Sequence, residues 1–258
     1  MSKVTYELSG RLAVLTLNDP PLNLTGREMA ADFGAVLDRV QKDAPRGMIL
    51  KNDEGNFGAG ADVKMFVDLS PANAKKLFSE FLPVIHRIES LPFPTMAAVR
   101  GLCLAAGLEL ALAFDFIWAS EGATFGQAEA TIGVFPFAGG SQRIAARAGV
   151  TRAKEIVFGG RLYPAATFER WNIINRVLPD GEVIQKAMAY MQGLADNGPT
   201  VAIRSAKEII HSYNASGIEK ADRLMIDLAG PIFDTEDVRT GVDSLLKNGP
   251  GKAKFAGK

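Results

Sequence analysis

Two glutamates stand out because their neighbours offer a carboxylate little solvation. Glu109 lies in LAAGLELALAFDF, where the next charge is Asp115, and Glu129 lies in ATFGQAEATIGVFPFAGGSQR among small and apolar residues. Burying even a neutral polar group without partners costs ~2–7 kcal/mol, and an ion more. Low polarity raises a carboxyl pKa, so Glu129 is a candidate acid that stays protonated near neutrality. Ala106 precedes Glu109 by three residues, a spacing that shares one helix face. A helix starting near Ala105 leaves the Ala106 N–H without an intrahelical partner and favours negative charge beside it. The loop GNFGAGADVK carries small residues at Ala59, Gly60 and Ala61, which let backbone N–H groups approach a ligand closely. Two donors from separate segments aimed at one oxygen form an oxyanion hole, and losing one costs about 2.7–4 kcal/mol of transition-state stabilisation.

Each feature alone also has an ordinary structural reading. Glu109 can be a hydrogen-bonded core residue, Glu129 can cap a turn or pair with Arg143, and the glycine-rich loop can be only a turn. Elimination narrows the chemistry. GAGADV has Val63 where a dinucleotide fingerprint needs its third glycine, and no Gly-Lys-Ser/Thr follows for a P-loop. His86 and His211 sit alone on helical patterns without HExxH spacing, and one cysteine cannot build a thiolate zinc site. Ser141 lacks the Gly-x-Ser-x-Gly elbow of a hydrolase nucleophile. Carboxylate chemistry beside glycine-rich backbone is what survives.

The elements that must position these groups can be read from periodicity. VTYEL and RLAVLTL alternate as strands, Arg27–Gln41 repeats its apolar residues at helical spacing, and GMILKN is a short buried strand. A short helix is expected from near Asp62, a longer one through KKLFSEFLPVIHRIES, a strand at TMAAV, a helix over GLCLAAGLELALA and a strand at DFIWAS. This alternation predicts a layered α/β architecture. From Asp180 onward the pattern is almost entirely helical, which divides the chain into a core of residues 1–197 and a helical region of residues 198–258. The tail PGKAKFAGK reads as loose.

The 258 residues are 47% hydrophobic and 22% charged, with 29 basic and 29 acidic side chains. That balance advertises neither nucleic acid nor an acidic membrane as partner. Cys103 has apolar neighbours and reads as a core residue. The N-terminus has no secretory h-region, and no apolar run reaches membrane-spanning length. A soluble, cytoplasmic protein is expected.

Three segments, FGAGADVKMF (57–66), AAVRGLCLAAGLELALAFD (97–115) and FGQAEATIGVFPFAGGSQRIAARAG (125–149), together resemble the crotonase, or enoyl-CoA hydratase/isomerase, superfamily. The similarity runs from LTLNDPPLN to the C-terminal KFAGK. It implies a spiral of ββα units followed by a helical C-terminal region that packs homotrimers or homohexamers. It also implies an acyl-CoA substrate and no metal or redox cofactor, since the thioester itself acidifies the α-position. By this resemblance Ala61 and Ala106 are the oxyanion-hole donors, and Glu109 and Glu129 match the paired catalytic glutamates of the hydratases. Ala59, Gly60, Asp62, Val63 and Lys64 fall in the stretch along the adenine end of CoA, and Asn23 and Leu24 in an acyl-CoA-binding loop.

The implied reaction is hydration of a 2-enoyl-CoA to a 3-hydroxyacyl-CoA. This sequence departs from the family pattern in reading AAG for the usual triple glycine, QAE for QPE and PFAGG for PGAGG. The last change puts Phe137 where hydratases carry a glycine beside the catalytic water. A ring there could narrow the acyl pocket or exclude water, which leaves 3-enoyl to 2-enoyl isomerisation by Glu129 as the alternative. A non-catalytic acyl-CoA binder or an RNA-binding relative is the reading from a different class. Zero net charge argues against RNA, and retention of both glutamates argues against a dead enzyme.

Overall fold

The computed structural model describes residues 2–258. The strands among the described residues are β1 (Val4–Ser9), β2 (Leu12–Leu17), β3 (Gly47–Asn52), β4 (Thr95–Val99), β5 (Leu102–Leu104), β6 (Phe116–Ser120), β7 (Thr124–Gly126), β8 (Tyr163–Pro164) and β9 (Arg176–Leu178). A six-stranded sheet has the order β1-β2-β3-β4-β6-β9, and a three-stranded one the order β5-β7-β8. The first two strands form a hairpin through Gly10, whose φ of +60° suits glycine. The rest of the large sheet is parallel. Parallel strands are covered on both faces, which is why TMAAV of β4 is buried throughout and apolar after Thr95.

Helix α1 (Arg27–Asp43) covers one face with Met29, Phe33, Val36, Leu37 and Val40, while α2 (Pro71–Glu89) packs beside it with Leu77, Ile85 and Ile88. The remaining helices are α3 (Ala106–Ala111), α4 (Gly140–Ala148), α5 (Val150–Gly159), α6 (Ala165–Arg170), α7 (Val183–Asn197), α8 (Thr200–Ser216), α9 (Ile218–Phe233) and α10 (Glu236–Asn248). On the opposite face α7 lays Val183, Ala187, Met191 and Ala195, a strict four-residue stripe, against Ile49, Met96, Ala98 and Trp118.

The chain winds as a spiral. β4 enters the large sheet, turns a corner at Gly101 (φ +68°) into β5 of the small sheet, and continues into α3. The next turn repeats this as β6, β7 and a single 3-10 turn (Glu129–Ile132), which leads on to α4. The helix expected over GLCLAAGLELALA is therefore divided. Leu102–Leu104 pair with β7 and with Gly58, and only Ala106–Ala111 are helical. A short apolar run has no period that separates buried strand from buried helix, so the neighbours decide. The helix expected near Asp62 is likewise one 3-10 turn, Val63–Phe66.

Helix α8 is tied to the core by Lys207, whose Nζ donates to Asp115 Oδ2 (2.8 Å) and to the Phe93 carbonyl (3.1 Å). The tail, expected to be loose, is docked. Gly257 N–H donates to both oxygens of the Asp237 carboxylate at 3.0 Å, and the Phe255 N–H reaches the Asn197 carbonyl. Glycine at position 241 makes room for the Phe255 ring. Among the described residues, no helix is long and apolar enough to cross a membrane.

Candidate active site

Three segments distant in sequence meet at one cavity of about 230 Å3. The first is the loop after β3. Gly58 N–H donates to the Leu102 carbonyl (2.9 Å), and Leu104 N–H to the Gly58 carbonyl (2.8 Å), which adds this loop to β5 as an extra strand. The packing demands glycine, since a Cβ on Gly107 would lie 2.5 Å from the Gly58 carbonyl oxygen. On its other side the loop bridges to Thr25 through Thr25 N–H to Gly60 O and Asp62 N–H to Thr25 O. The Ala61 N–H takes no part in that bridge, and the Ala106 N–H begins α3. Both alanines line the cavity. The segments that carry Ala61 and Ala106 are thus brought to one cavity, with the Gly58–Gly107 approach setting their spacing.

Glu109, buried on the inner face of α3, contributes the first carboxyl group. Its Oε1 accepts the N–H groups of Ala138 and Gly140, both at 2.8 Å. Burial pushes its pKa up, opposed by these amides, by the nearby Arg143 charge and by the Phe137 N–H. The amides favour the ionised form and hold one oxygen, while the side chain also faces the cavity.

Glu129 contributes the second. Burial lifts its pKa to about 7, with the Glu109 charge adding to the effect and its own backbone N–H opposing it. With the Gln127 amide turned so that its NH2 faces Glu129, the nitrogen lies 2.8 and 2.9 Å from the two carboxyl oxygens. Gln127 is fully buried, and Gly140 makes room for it, because a Cβ at Gly140 would lie 2.2 Å from that amide and 3.1 Å from Glu109 Cγ. One glycine therefore lets both acids take their places. Two carboxyl groups of differing support, one held by amides and one with its pKa lifted to about 7, are chemically able to serve as a base and an acid.

The pairing of Glu129 with Arg143 that sequence allowed does not occur. Arg143 Nε and Nη2 engage Glu89 at the end of α2, at 2.7 and 2.6 Å, and Nη1 reaches the Ala138 and Gly139 carbonyls. Sequence reasoning passed over Gln127, Gly140 and this ion pair. QAE at least placed an amide two residues before the acid; nothing in the sequence joined positions 89 and 143.

The other candidates divide. Ala59, Gly60, Val63 and Phe137 line the cavity with Ala61, Ala106 and both glutamates. Asp62 caps the 3-10 turn by accepting the Lys64 N–H, and the Lys64 side chain is exposed. Asn23 is buried with both ends of its amide engaged: Oδ1 accepts the Asp19 N–H and Nδ2 donates to the Asn56 carbonyl. It holds the loop in shape, and Thr25 rather than Leu24 reaches the cavity wall.

A ββα spiral whose glycine-bound loops and buried acids surround an apolar cavity defines a class, and comparison with known proteins gives the family. The family model described as enoyl-CoA hydratase/isomerase matches residues 7–256, and the chain belongs to that family. It is 32% identical to a Rhizobium meliloti protein named "Probable enoyl-CoA hydratase", over 96% of each chain. It is 28% identical to the short-chain-enoyl-CoA hydratase of Clostridium acetobutylicum, over 96% of this chain and 95% of that one. The crystal structure of an enoyl-CoA hydratase from Bacillus anthracis superposes with a TM-score of 0.91 at 26% identity, covering 99% of this chain and all of the other. The crotonase-like fold expected from sequence is the observed one, and the chain is a member of an enzyme family.

Proposed function

We propose that the protein hydrates a 2-enoyl-CoA to the 3-hydroxyacyl-CoA. The observation that carries this reading is that two differently supported carboxyl groups, Glu109 and Glu129, line the one cavity that Ala61 and Ala106 also line. The thioester oxygen takes the N–H groups of Ala61 and Ala106, which stabilise negative charge as it develops there. Ionised Glu109 holds a water and accepts its proton as the oxygen bonds to C3. Protonated Glu129 gives its proton to C2, the enolate collapses to the thioester, and one water has been added across the double bond. A proton passing from Glu109 back to Glu129 restores the starting state.

The adenine end of CoA is assigned to the Ala59–Lys64 stretch, where Val63 and Lys64 are exposed. Residues 1–197 are assigned to the catalytic core and 198–258 to oligomer formation as a homotrimer or hexamer. Ile210, Tyr213, Ile226, Phe233 and Leu246 are more than half exposed on the C-terminal helices and support that assignment. No cofactor is required by this chemistry, and a cytoplasmic setting fits a soluble CoA thioester.

The test is hydration of 2-enoyl-CoA thioesters with product identification. Wild type forms the 3-hydroxyacyl product, and Glu109→Gln and Glu129→Gln each lose most of the rate. Isomerisation is the second reading, supported by the Phe137 ring, which stacks on Phe78 (3.5 Å between centroids) at the cavity wall. Conversion of a 3-enoyl-CoA to the 2-enoyl isomer without hydration would replace the first reading with the second.

A further inference from the structure

We propose that Asn56 is a positioning residue for the thioester-binding donors. Its side-chain amide replaces one rung of main-chain hydrogen bonding and fixes how the loop carrying Ala61 lies along β5, the strand that leads to Ala106. This deepens the acyl-CoA reading and rests on its assignment of Ala61 and Ala106 as donors.

The first observation is a displaced rung. The loop after β3 runs parallel to β5, bridged at Gly58 and Cys103. A regular parallel ladder would place its preceding rung as Asn56 N–H to the Arg100 carbonyl and Leu102 N–H to the Asn56 carbonyl. Both bonds go elsewhere. The Arg100 carbonyl accepts the Phe57 N–H (2.9 Å), and the Asn56 N–H turns to the Pro21 carbonyl (3.0 Å). The Asn56 carbonyl accepts Asn23 Nδ2 at 2.6 Å. One extra residue is thus taken up where the loop joins the ladder, as in a β-bulge. The Leu102 N–H, displaced from its rung, is held by Asn56 Oδ1 at 2.8 Å.

The second observation is the other end of the same amide. Asn56 Nδ2 donates to the Pro21 carbonyl at 2.9 Å, so the side chain ties β5 to the proline loop with its own loop between them. An N–H at one end and a carbonyl at the other fix which end of the amide is oxygen. The fit is close on both sides. A Cβ on Gly101 would lie 2.7 Å from Asn56 Oδ1, and one on Gly55 would lie 2.6 Å from the Pro21 oxygen. Asparagine alone offers an acceptor and a donor at the tip of so short a side chain; aspartate only accepts, and alanine does neither.

The third observation is where these contacts lead. Ala61 follows Asn56 by five residues, and Ala106 follows Leu102 by four. Asn56 does not line the cavity itself, whereas both alanines do. The loop is therefore pinned to the strand at two points, Asn56 on Leu102 at its start and Gly58 against Gly107 beside the cavity. Losing the first pin frees the loop to slide along β5 toward the regular rung, and sliding changes the spacing of the two donors. Misplacement by ~1 Å costs about a hundredfold in rate where catalysis depends on alignment.

The test reads the thioester carbonyl directly, by 13C NMR of carbonyl-labelled butanoyl-CoA bound to the protein. This carbon moves downfield as its oxygen accepts hydrogen bonds, and a saturated thioester is not hydrated. Wild type is expected to show the downfield shift and Asn56→Ala to lose most of it, with the dissociation constant changed by less than about threefold. In turnover of a 2-enoyl-CoA, Asn56→Ala should lower kcat at least tenfold and leave KM within about threefold. Asn56→Asp keeps the acceptor for Leu102 and should recover part of both losses. If Asn56→Ala fails to fold, Asn56→Leu, which keeps the branched shape without polar ends, takes its place. A folded variant lacking the amide that retains the full wild-type shift overturns the proposal, however much stability it has lost. A shift lost in the variant of a protein that hydrates nothing supports the positioning role and removes the hydratase reading alone. Wild type that binds butanoyl-CoA without a downfield shift, or does not bind it, removes the oxyanion-hole reading and overturns this inference with it.

Discussion

The guanidinium of Arg143 holds both carboxyl oxygens of Glu89, at 2.7 and 2.6 Å, and extends its remaining nitrogen to the Ala138 and Gly139 carbonyls. The N–H groups of Ala138 and Gly140, on that same turn, hold Glu109. One ion pair between α2 and α4 thus braces the turn that presents a carboxyl group to the cavity.

Arg143→Met should therefore lower kcat/KM by about tenfold to a hundredfold, the range for losing hydrogen bonds to a charged group. Arg143→Lys keeps the charge but not the two-pronged geometry and should recover only part of the loss. Removing the cation also raises the Glu109 pKa, so the acid limb of the pH–rate profile should move to higher pH. Glu129 in the cavity and Glu89 and Arg147 around Arg143 are further charges on this side, and Glu89→Gln in a double-mutant cycle measures the coupling. An unchanged profile would leave Arg143 a purely structural residue.

Gly140→Ala should be far more damaging than a helix-favouring methyl group suggests. The new Cβ would fall 2.2 Å from the Gln127 amide and 3.1 Å from Glu109 Cγ. Relief requires Gln127 to move away from Glu129 or Glu109 to move off its amides, at about 1–3 kcal/mol for overpacking. The expectation is at least a tenfold fall in kcat with a melting temperature lowered by several degrees, read by kinetics and thermal denaturation.

Glu129 should make the fold less stable as pH rises. Its folded pKa of about 7 exceeds the ordinary 4.5, so the native state binds the proton more tightly than the unfolded chain does. The associated stability is present below about pH 4.5 and is lost as pH rises to about 7. At ~1.4 kcal/mol per pH interval of one, this amounts to about 3 kcal/mol. Glu129→Gln, which carries no charge, should melt higher than wild type at pH 8 and close to it at pH 4.5.

Activity should follow a bell-shaped pH profile, with a basic limb near 7 from loss of the Glu129 proton. The two acids raise each other's cost of ionisation, so the limbs belong to the pair. A rate that keeps rising above pH 8 would argue that Glu129 works as a base, the role it has in isomerisation.

Much of this was legible in one dimension, because solvation is a local property. A glutamate amid alanine, leucine and phenylalanine announces its burial, and glycines beside alanines announce exposed main chain. α1 and α7 were readable because a sustained helical period is hard to mistake. β5 was not, since three apolar residues have no period. The docked tail was missed for a related reason: PGKAKFAGK has the composition of a loose end, and only the cleft beside Gly241 gives Phe255 somewhere to go.

The amino-acid order by itself determined which groups are available: two carboxyl groups in apolar surroundings, two glycine-rich runs and enough hydrophobic periodicity to build the layers around them. Tertiary structure decided which groups meet. Gly58 against Gly107, Glu109 on the Ala138 and Gly140 amides and Arg143 on Glu89 are contacts between segments distant in sequence, and each depends on where two backbones cross. Pairings of that kind are selected by packing distances of a few ångströms, to which neither residue type nor spacing along the chain is sensitive.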